Sequence, residues 1–422
     1  MSARKSLYLE FRQRIFEALD AEAVQQMSRD ELHTQILSAV EILARSRPQP
    51  MTTMIRDGLV KGLIDELLGL GPLQPLVDDQ SITDIMVNGP DNIYFERNGK
   101  LQRSEISFVN ENQLLEVAKR IASRVGRRVD EMSPMVDARL EDGSRVNVVI
   151  PPIALDGTSI SIRKFREQTI GLEELVGFGA MSVDMARVLM IATRCRLNVL
   201  ISGGTGSGKT TLLNALSQYI DEDERVITIE DAAELRLLQP HVVRLETRGA
   251  SIENTGAVNP RDLLINALRM RPDRIIVGEC RGSEAFEMLQ AMNTGHDGSM
   301  STLHANSPRD AISRVESMVM MANLNQPLDA IRRTIVSAVH LVIQVNRMRD
   351  GSRKVTSISE VIGLEGENVV MEEIFRYQQS DTELDGKLQG QFETQGIMQR
   401  SIIVKKAQFS GLYSELMAAF RS

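Results

Sequence analysis

Gly203, Gly204, Thr205, Gly206, Ser207, Gly208, Lys209 and Thr210 fill every fixed position of the phosphate-loop pattern G-x-x-x-x-G-K-[ST], and Thr211 continues into a helical run. The glycines let backbone N–H groups turn inward around the β- and γ-phosphates of a nucleotide. A helix beginning near Lys209 aims its positive dipole end at the same place. Lys209 adds a point charge, and the Thr210 hydroxyl is a natural ligand for Mg²⁺. An apolar run before the glycines (Leu197 to Ser202) and Leu212, Leu213 and Leu216 after them supply the strand and helix that such a loop requires. These residues predict binding of ATP with Mg²⁺.

Hydrolysis needs groups that position water and neutralise charge on the transferring phosphoryl group. Glu230, Asp231 and Glu234 follow the strand-like VITI, where carboxylates reach metal-bound water; Glu230 and Asp231 are expected to do so. RIIVGE is a second apolar strand ending in Gly278-Glu279. Glu279 is placed to orient the attacking water, while Gly278 stands where a common nucleotide motif has a metal-binding Asp. His296 and His304 invite a zinc reading, but no third ligand shows suitable spacing. A histidine at a strand end is instead suited to sense the γ-phosphate region. Arg139, Arg145 and Arg163 are three among 49 basic residues and by themselves indicate little.

The elements that must hold these groups fall into several units along 422 residues. Residues 1–50 read as a helical unit, with Phe11, Ile15 and Leu19, and then Leu32, Ile36 and Val40, at helical spacing. Ser28 to Glu31 has the capping-box pattern, and Arg47 to Pro50 breaks the run. Residues 51–166 read as an α+β domain with a small, mostly antiparallel sheet, marked by a hairpin at Asn98-Gly99. Residues 167–179 read as an interdomain linker. Residues 180–422 alternate strands and helices, which predicts an α/β fold with a doubly wound, mostly parallel sheet. The polar, Gln-rich stretch 378–396 reads as loop, ahead of a last helix near Tyr413 to Phe420. A net charge of −8 argues against broad nucleic-acid binding. The start of the chain lacks signal-peptide character, and no apolar run approaches roughly 18 residues. A cytoplasmic protein without direct membrane insertion is expected. Two cysteines, Cys195 and Cys280, are too few for a tetracysteine zinc site.

GGTGSGKTT, VITIEDAAEL, RMRPDRIIVGECRG and AMNTGHDGSMSTLHANSP, in that order and spacing, resemble the secretion ATPase superfamily, which powers type II and type IV secretion and type IV pili. TDIMVNGPDNIYFERNGKL and DGSRVNVVIPP look like the N-terminal domain of those enzymes. HVVRLETR, and Gly before Glu in RMRPDRIIVGE, are similar to the CpaF-like branch that drives tight-adherence (Flp) pilus assembly. The resemblance implies a RecA-like ATPase in a homohexameric ring, recruited to the inner face of the membrane by a platform protein. It makes Glu230, Asp231 and Glu234 the acidic box, Glu279 the catalytic glutamate, and His296 and His304 the histidine box. It also makes Arg145 and Arg163 the arginines presented to the γ-phosphate; Arg139 and Arg281 match less closely. Three rivals stand beside this reading: a motor for protein or DNA export through a type IV secretion channel, a nucleic-acid-stimulated RecA-like ATPase, and a nucleotide-gated scaffold that binds ATP without productive turnover.

Overall fold

The computed structural model describes residues 3–19, 27–47, 51–97, 99–140, 142–165, 170–249, 255–322, 326–384 and 387–421. The break at Pro48 to Pro50, Asn98 of the hairpin turn and residues 167–169 of the expected linker lie outside them. The chain divides into two compact units, Met1–Glu167 and Gln168–Ser422.

The first unit starts with three helices, Ala3–Ala18, Arg29–Arg45 and Thr53–Leu68. Ser28 and Glu31 form the capping box that starts the second. Phe11 and Ile15, then Leu32, Ile36 and Val40, face Leu59, Leu63 and Ile64 in one apolar cluster, so the helices before residue 50 share their core with the helix after it. The rest of the unit is an antiparallel sheet of β1 (Ile82–Asn88), β2 (Ile93–Arg97), β3 (Lys100–Arg103), β4 (Met135–Arg139), β5 (Arg145–Val149) and β6 (Ser159–Arg163). Its order is β3-β2-β1-β6-β5-β4. Alternate residues are buried, such as Val146 and Val148 on β5 and Ile160 and Ile162 on β6. The helix Glu111–Arg124 shares their core through Leu114, Val117 and Ile121, each contributing about 1.5–3 kcal/mol of burial.

The second unit is built on a nine-stranded sheet. Its strands are β7 (Val199–Gly203), β8 (Val226–Glu230), β9 (Val242–Glu246), β10 (Arg274–Val277), β11 (Met300–Leu303), β12 (Leu341–Arg347), β13 (Arg353–Glu365), β14 (Asn368–Leu384) and β15 (Lys387–Thr394). The order is β15-β14-β13-β12-β7-β11-β10-β8-β9. From β12 to β9 neighbours are parallel, and β12 to β15 form an antiparallel extension. β7 is buried throughout and lies between β11 and β12, so its C-terminal end opens at a central position of the sheet. Apolar clusters on both faces close the sandwich.

Three segments differ from the sequence-based expectation. The stretch 378–396 is not loop: β14 runs to Leu384 and returns as β15, with Tyr377 against Phe392. The expected linker carries the helix Leu172–Gly177, with Leu172 buried in the second unit's core. A further helix, Ile402–Phe409, precedes the expected last one, which spans Tyr413–Ala418.

Candidate active site

Gly206 (φ +68°) and Gly208 (φ +103°) take left-handed conformations that only glycine adopts at little cost. Gly208 caps the helix Lys209–Ser217. At Gly203 a side chain would collide with the Val345 carbonyl of β12 and lie 2.6 Å from Ser207 Oγ. Lys209 is buried, and its Nζ donates to the carbonyls of Gly203 (3.1 Å) and Gly204 (2.9 Å). The ammonium is thus folded over the mouth of its own loop.

The strand register brings the acids to this loop. Ile229 of β8 pairs with Val277 of β10, Val277 with Ser301 of β11, and Leu303 with Ser202 of β7. Glu230, Glu279 and His304 therefore leave the same edge of the sheet. Glu279 Oε2 accepts from Arg281 Nη2 at 2.7 Å, and Oε1 lies 2.9 Å from His304 Nε2. His304 Nε2 is in turn 3.5 Å from Lys209 Nζ, and Arg281 Nη1 is 3.4 Å from Asp231 Oδ2. The result is an array Asp231–Arg281–Glu279–His304–Lys209 in which acidic and basic groups meet along the sheet edge. Burial alone would raise the Glu279 carboxyl, but the Arg281 hydrogen bond and charge, helped by His304 and Lys209, carry it below its ordinary value. Burial and then the Lys209 charge lower His304, against the opposing pull of Glu279.

Glu230 does a different job from its neighbours. It is buried, and Oε2 accepts from the N–H groups of Glu234 (2.6 Å) and Leu235 (2.8 Å), fixing the turn that follows β8. Oε1 is buried with no partner among the described residues, and burial raises the pKa of the carboxyl. Its side chain also explains Gly278: a Cβ there would sit 2.9 Å from Glu230 Cγ.

A family model for type II/IV secretion system proteins matches residues 66–388. The chain belongs to that family. A provisionally named conjugal transfer protein of Mycobacterium tuberculosis is 39% identical, covering 71% of this chain and 87% of that protein. The type IV secretion system protein VirB11 of Bartonella henselae is 33% identical, covering 69% of this chain and 92% of its own. The crystal structure of the VirB11 ATPase from Brucella suis, a complex with sulphate, is 28% identical over 68% of this chain and 95% of its own, with a TM-score of 0.37.

Not every expected residue of this secretion-family chain meets at the loop. His296 lies before β11, at the sheet edge opposite Lys209, with Nδ1 3.3 Å from the Ala291 carbonyl. Glu234 contributes its backbone N–H to Glu230. Arg145 and Arg163 belong to the first unit, where they are cross-strand partners, and Arg139 pairs with Arg145 on the other side. Cys280 is 1% exposed within the apolar layer, and burial pushes its thiol up, so it packs as a small apolar residue. Sequence reasoning passed over Thr302, whose Oγ1 donates to the Gly278 carbonyl at 2.7 Å. It also passed over buried Gln344, which joins Ser202 to the Ala305 carbonyl. An open cavity of about 370 Å³ beside Gly204 and His304 is also lined by Asn306, Asp310 and Arg314.

No group of three or more His, Cys, Asp or Glu among the described residues is arranged as a metal cage. In nucleotide sites Mg²⁺ is held mainly by substrate phosphate oxygens and water, with one or two protein oxygens. The donors present are the Thr210 hydroxyl on the loop helix, the orphaned Glu230 Oε1 and the exposed Asp231. Among the described residues no helix is long and apolar enough to cross a membrane.

Proposed function

We propose that this chain is an ATPase that hydrolyses ATP to ADP and phosphate and couples the step to movement in a secretion or pilus machine. The observation that carries it is the array Asp231–Arg281–Glu279–His304–Lys209 at the mouth of a complete phosphate loop. The residues from Gly203 to Thr211 cradle the triphosphate, and Lys209 leaves the Gly203 and Gly204 carbonyls to meet its oxygens. Thr210 would hold Mg²⁺ directly, with Glu230 and Asp231 reaching it through water. When bound, the ion offsets charge between the β- and γ-phosphates. Glu279 orients the attacking water, and His304, within reach of both Glu279 and Lys209, senses whether the γ-phosphate is present. Arg145 and Arg163 supply further positive charge to that phosphate; His296 serves outside the single-chain site.

The machine is a homohexamer, working in the cytoplasm on an inner-membrane platform to assemble a tight-adherence pilus. Support comes from HVVRLETR and the Gly278-Glu279 pair. The second reading, export through a type IV secretion channel, is favoured by the type IV secretion names of VirB11 and of PtlH from Bordetella pertussis, 36% identical. Loss of surface fibres on deleting the gene supports the pilus; intact fibres with a lost export phenotype support the channel.

Lys209→Ala should abolish nucleotide binding, and calorimetry showing near-native ATP affinity would overturn the reading of the loop. Arg145→Ala and Arg163→Ala should each lower turnover by about a hundredfold or more with ADP affinity nearly unchanged. Equal weakening of ADP and a non-hydrolysable ATP analogue would remove that arginine from the γ-phosphate.

A further inference from the structure

Three of the four glycines of the phosphate loop, Gly203, Gly206 and Gly208, share one neighbour, the hairpin formed by β12 and β13. The Val345 carbonyl fills the side-chain space of Gly203. Arg353 Nε donates to the Gly206 carbonyl at 2.9 Å. A Cβ at Gly208 would lie 3.3 Å from Arg353 Cδ, and one at Gly206 would lie 3.8 Å from Arg347 Nη1. Arg347 and Arg353 are the closing pair of the hairpin. The turn between them is set by its own bonds: Met348 N–H to the Ser352 carbonyl at 2.7 Å, and Asp350 Oδ1 accepting from Ser352 N (2.9 Å) and Oγ (2.6 Å).

We propose that Arg353 is a positioning residue for the phosphate loop, holding the peptide after Gly206 so that its N–H faces the nucleotide's diphosphate. The inference rests on the nucleotide reading above. In a trans peptide the C=O and N–H point in opposite directions. Fixing the Gly206 carbonyl on the Arg353 guanidinium therefore turns the Ser207 N–H the other way, into the loop. There its bond among the described residues is a long one, 3.4 Å, to the Gly204 carbonyl. Such a donor is readily given up to a phosphate oxygen. A glycine pair at positive φ has wide freedom, and ordering it costs entropy at each binding event unless a tether has already done so. The donated bond is charge-assisted, which makes it one of the stronger kinds. Because the peptide faces the part of the nucleotide common to ADP and ATP, the effect does not depend on the γ-phosphate.

The test is calorimetric titration of the full chain with ADP and with a non-hydrolysable ATP analogue. Arg353→Ala should raise both dissociation constants by the same factor, about tenfold, the worth of one charge-assisted hydrogen bond. At saturating ATP its kcat should fall by less than about threefold, so the loss sits in KM. Arg353→Lys should recover most of the affinity, because an ammonium can donate to a carbonyl as Lys354 does to Gly179 at 2.6 Å. Native ADP affinity in Arg353→Ala, a loss confined to the ATP analogue, or no recovery with lysine would each overturn the proposal. If Lys209→Ala abolishes binding while Arg353→Ala binds normally, this inference fails alone. Retained binding in Lys209→Ala brings down the loop reading and the inference with it.

Discussion

The two edges of the nine-stranded sheet use the same residue types in opposite ways. At the edge where the parallel strands begin, Arg274 is fully buried and grips Glu224 through two bonds of 2.6 Å, with a third to the Thr193 carbonyl at 2.8 Å. Buried Asn198 gives Nδ2 to the Met292 and Ala338 carbonyls and takes the N–H groups of Gly298 and Ser299 on Oδ1. Its own N–H goes to His340 Nδ1 at 2.9 Å. At the edge where the strands end, Glu279, His304, Arg281 and Asp231 are partly or fully open to solvent, and Glu230 Oε1 and Ser207 Oγ are buried without a partner among the described residues. At the first edge the Arg274 and Asn198 clusters are satisfied and hold the strands in register. The other keeps bonding capacity for a ligand. Charge alone does not separate a structural cluster from a functional one; how completely its groups are satisfied does.

Changes at the open edge should therefore cost activity, and changes at the closed edge should cost stability. Glu279→Gln is expected to have the largest effect, lowering turnover by about a thousandfold, roughly 4 kcal/mol in the barrier, while ATP still binds. Single-turnover kinetics beside a binding isotherm checks this, and unchanged turnover would move the water-orienting role to Asp231 or Glu234. Arg274→Ala comes next. It leaves the buried Glu224 carboxylate to the longer Arg196 ion pair (3.5 Å) and should destabilise the fold by about 3 kcal/mol. Nucleotide affinity at a temperature where the variant is folded should stay near native. A stable Arg274→Ala protein with weakened ADP binding would erase the contrast between the edges.

The smallest effect is a dependence on pH. Burial, reinforced by the Lys406 charge and partly offset by Asp297, lowers His340 to about 4. Above its ordinary value near 6.5 the imidazole is neutral folded and unfolded, so its contribution is complete. As pH falls from there toward about 4, the unfolded chain takes up a proton that the folded chain refuses, and stability drops. The loss should be on the order of 2–3 kcal/mol by the lower end of that window. Urea midpoints of the native chain and His340→Gln between about pH 7 and about pH 5 test it, since the variant's curve should be flatter.

The site was legible in the sequence where its chemistry is local. The phosphate loop is one continuous segment, and Glu230 and Glu279 each end an apolar run, so strand direction places them. What escaped depends on register between distant segments. Arg353 meets Gly206 across 147 residues, and nothing near either marks the contact. His296 and His304 share one short stretch, yet a strand advances about 3.3 Å per residue, and β11 between them puts them at opposite edges. The 378–396 segment lacks the apolar alternation of a half-buried strand. Its two halves, the end of β14 and β15, pair with each other, and register, not composition, orders its glutamines.

Gly278 and Glu230 sit at the ends of adjacent strands and occupy one volume between them. A side chain just after β10 and the one that ends β8 compete for this space: Gly278→Asp alone must shift the Glu230 side chain, an overpacking expected to cost about 1–3 kcal/mol. The two positions are thus coupled, and the effect of substituting either depends on what stands at the other. A linear motif that asks for an acid before Glu279 scores this chain as deficient, although the Glu230 carboxylate from the neighbouring strand lies beside that position, with Oε2 3.6 Å from where a Cβ would stand.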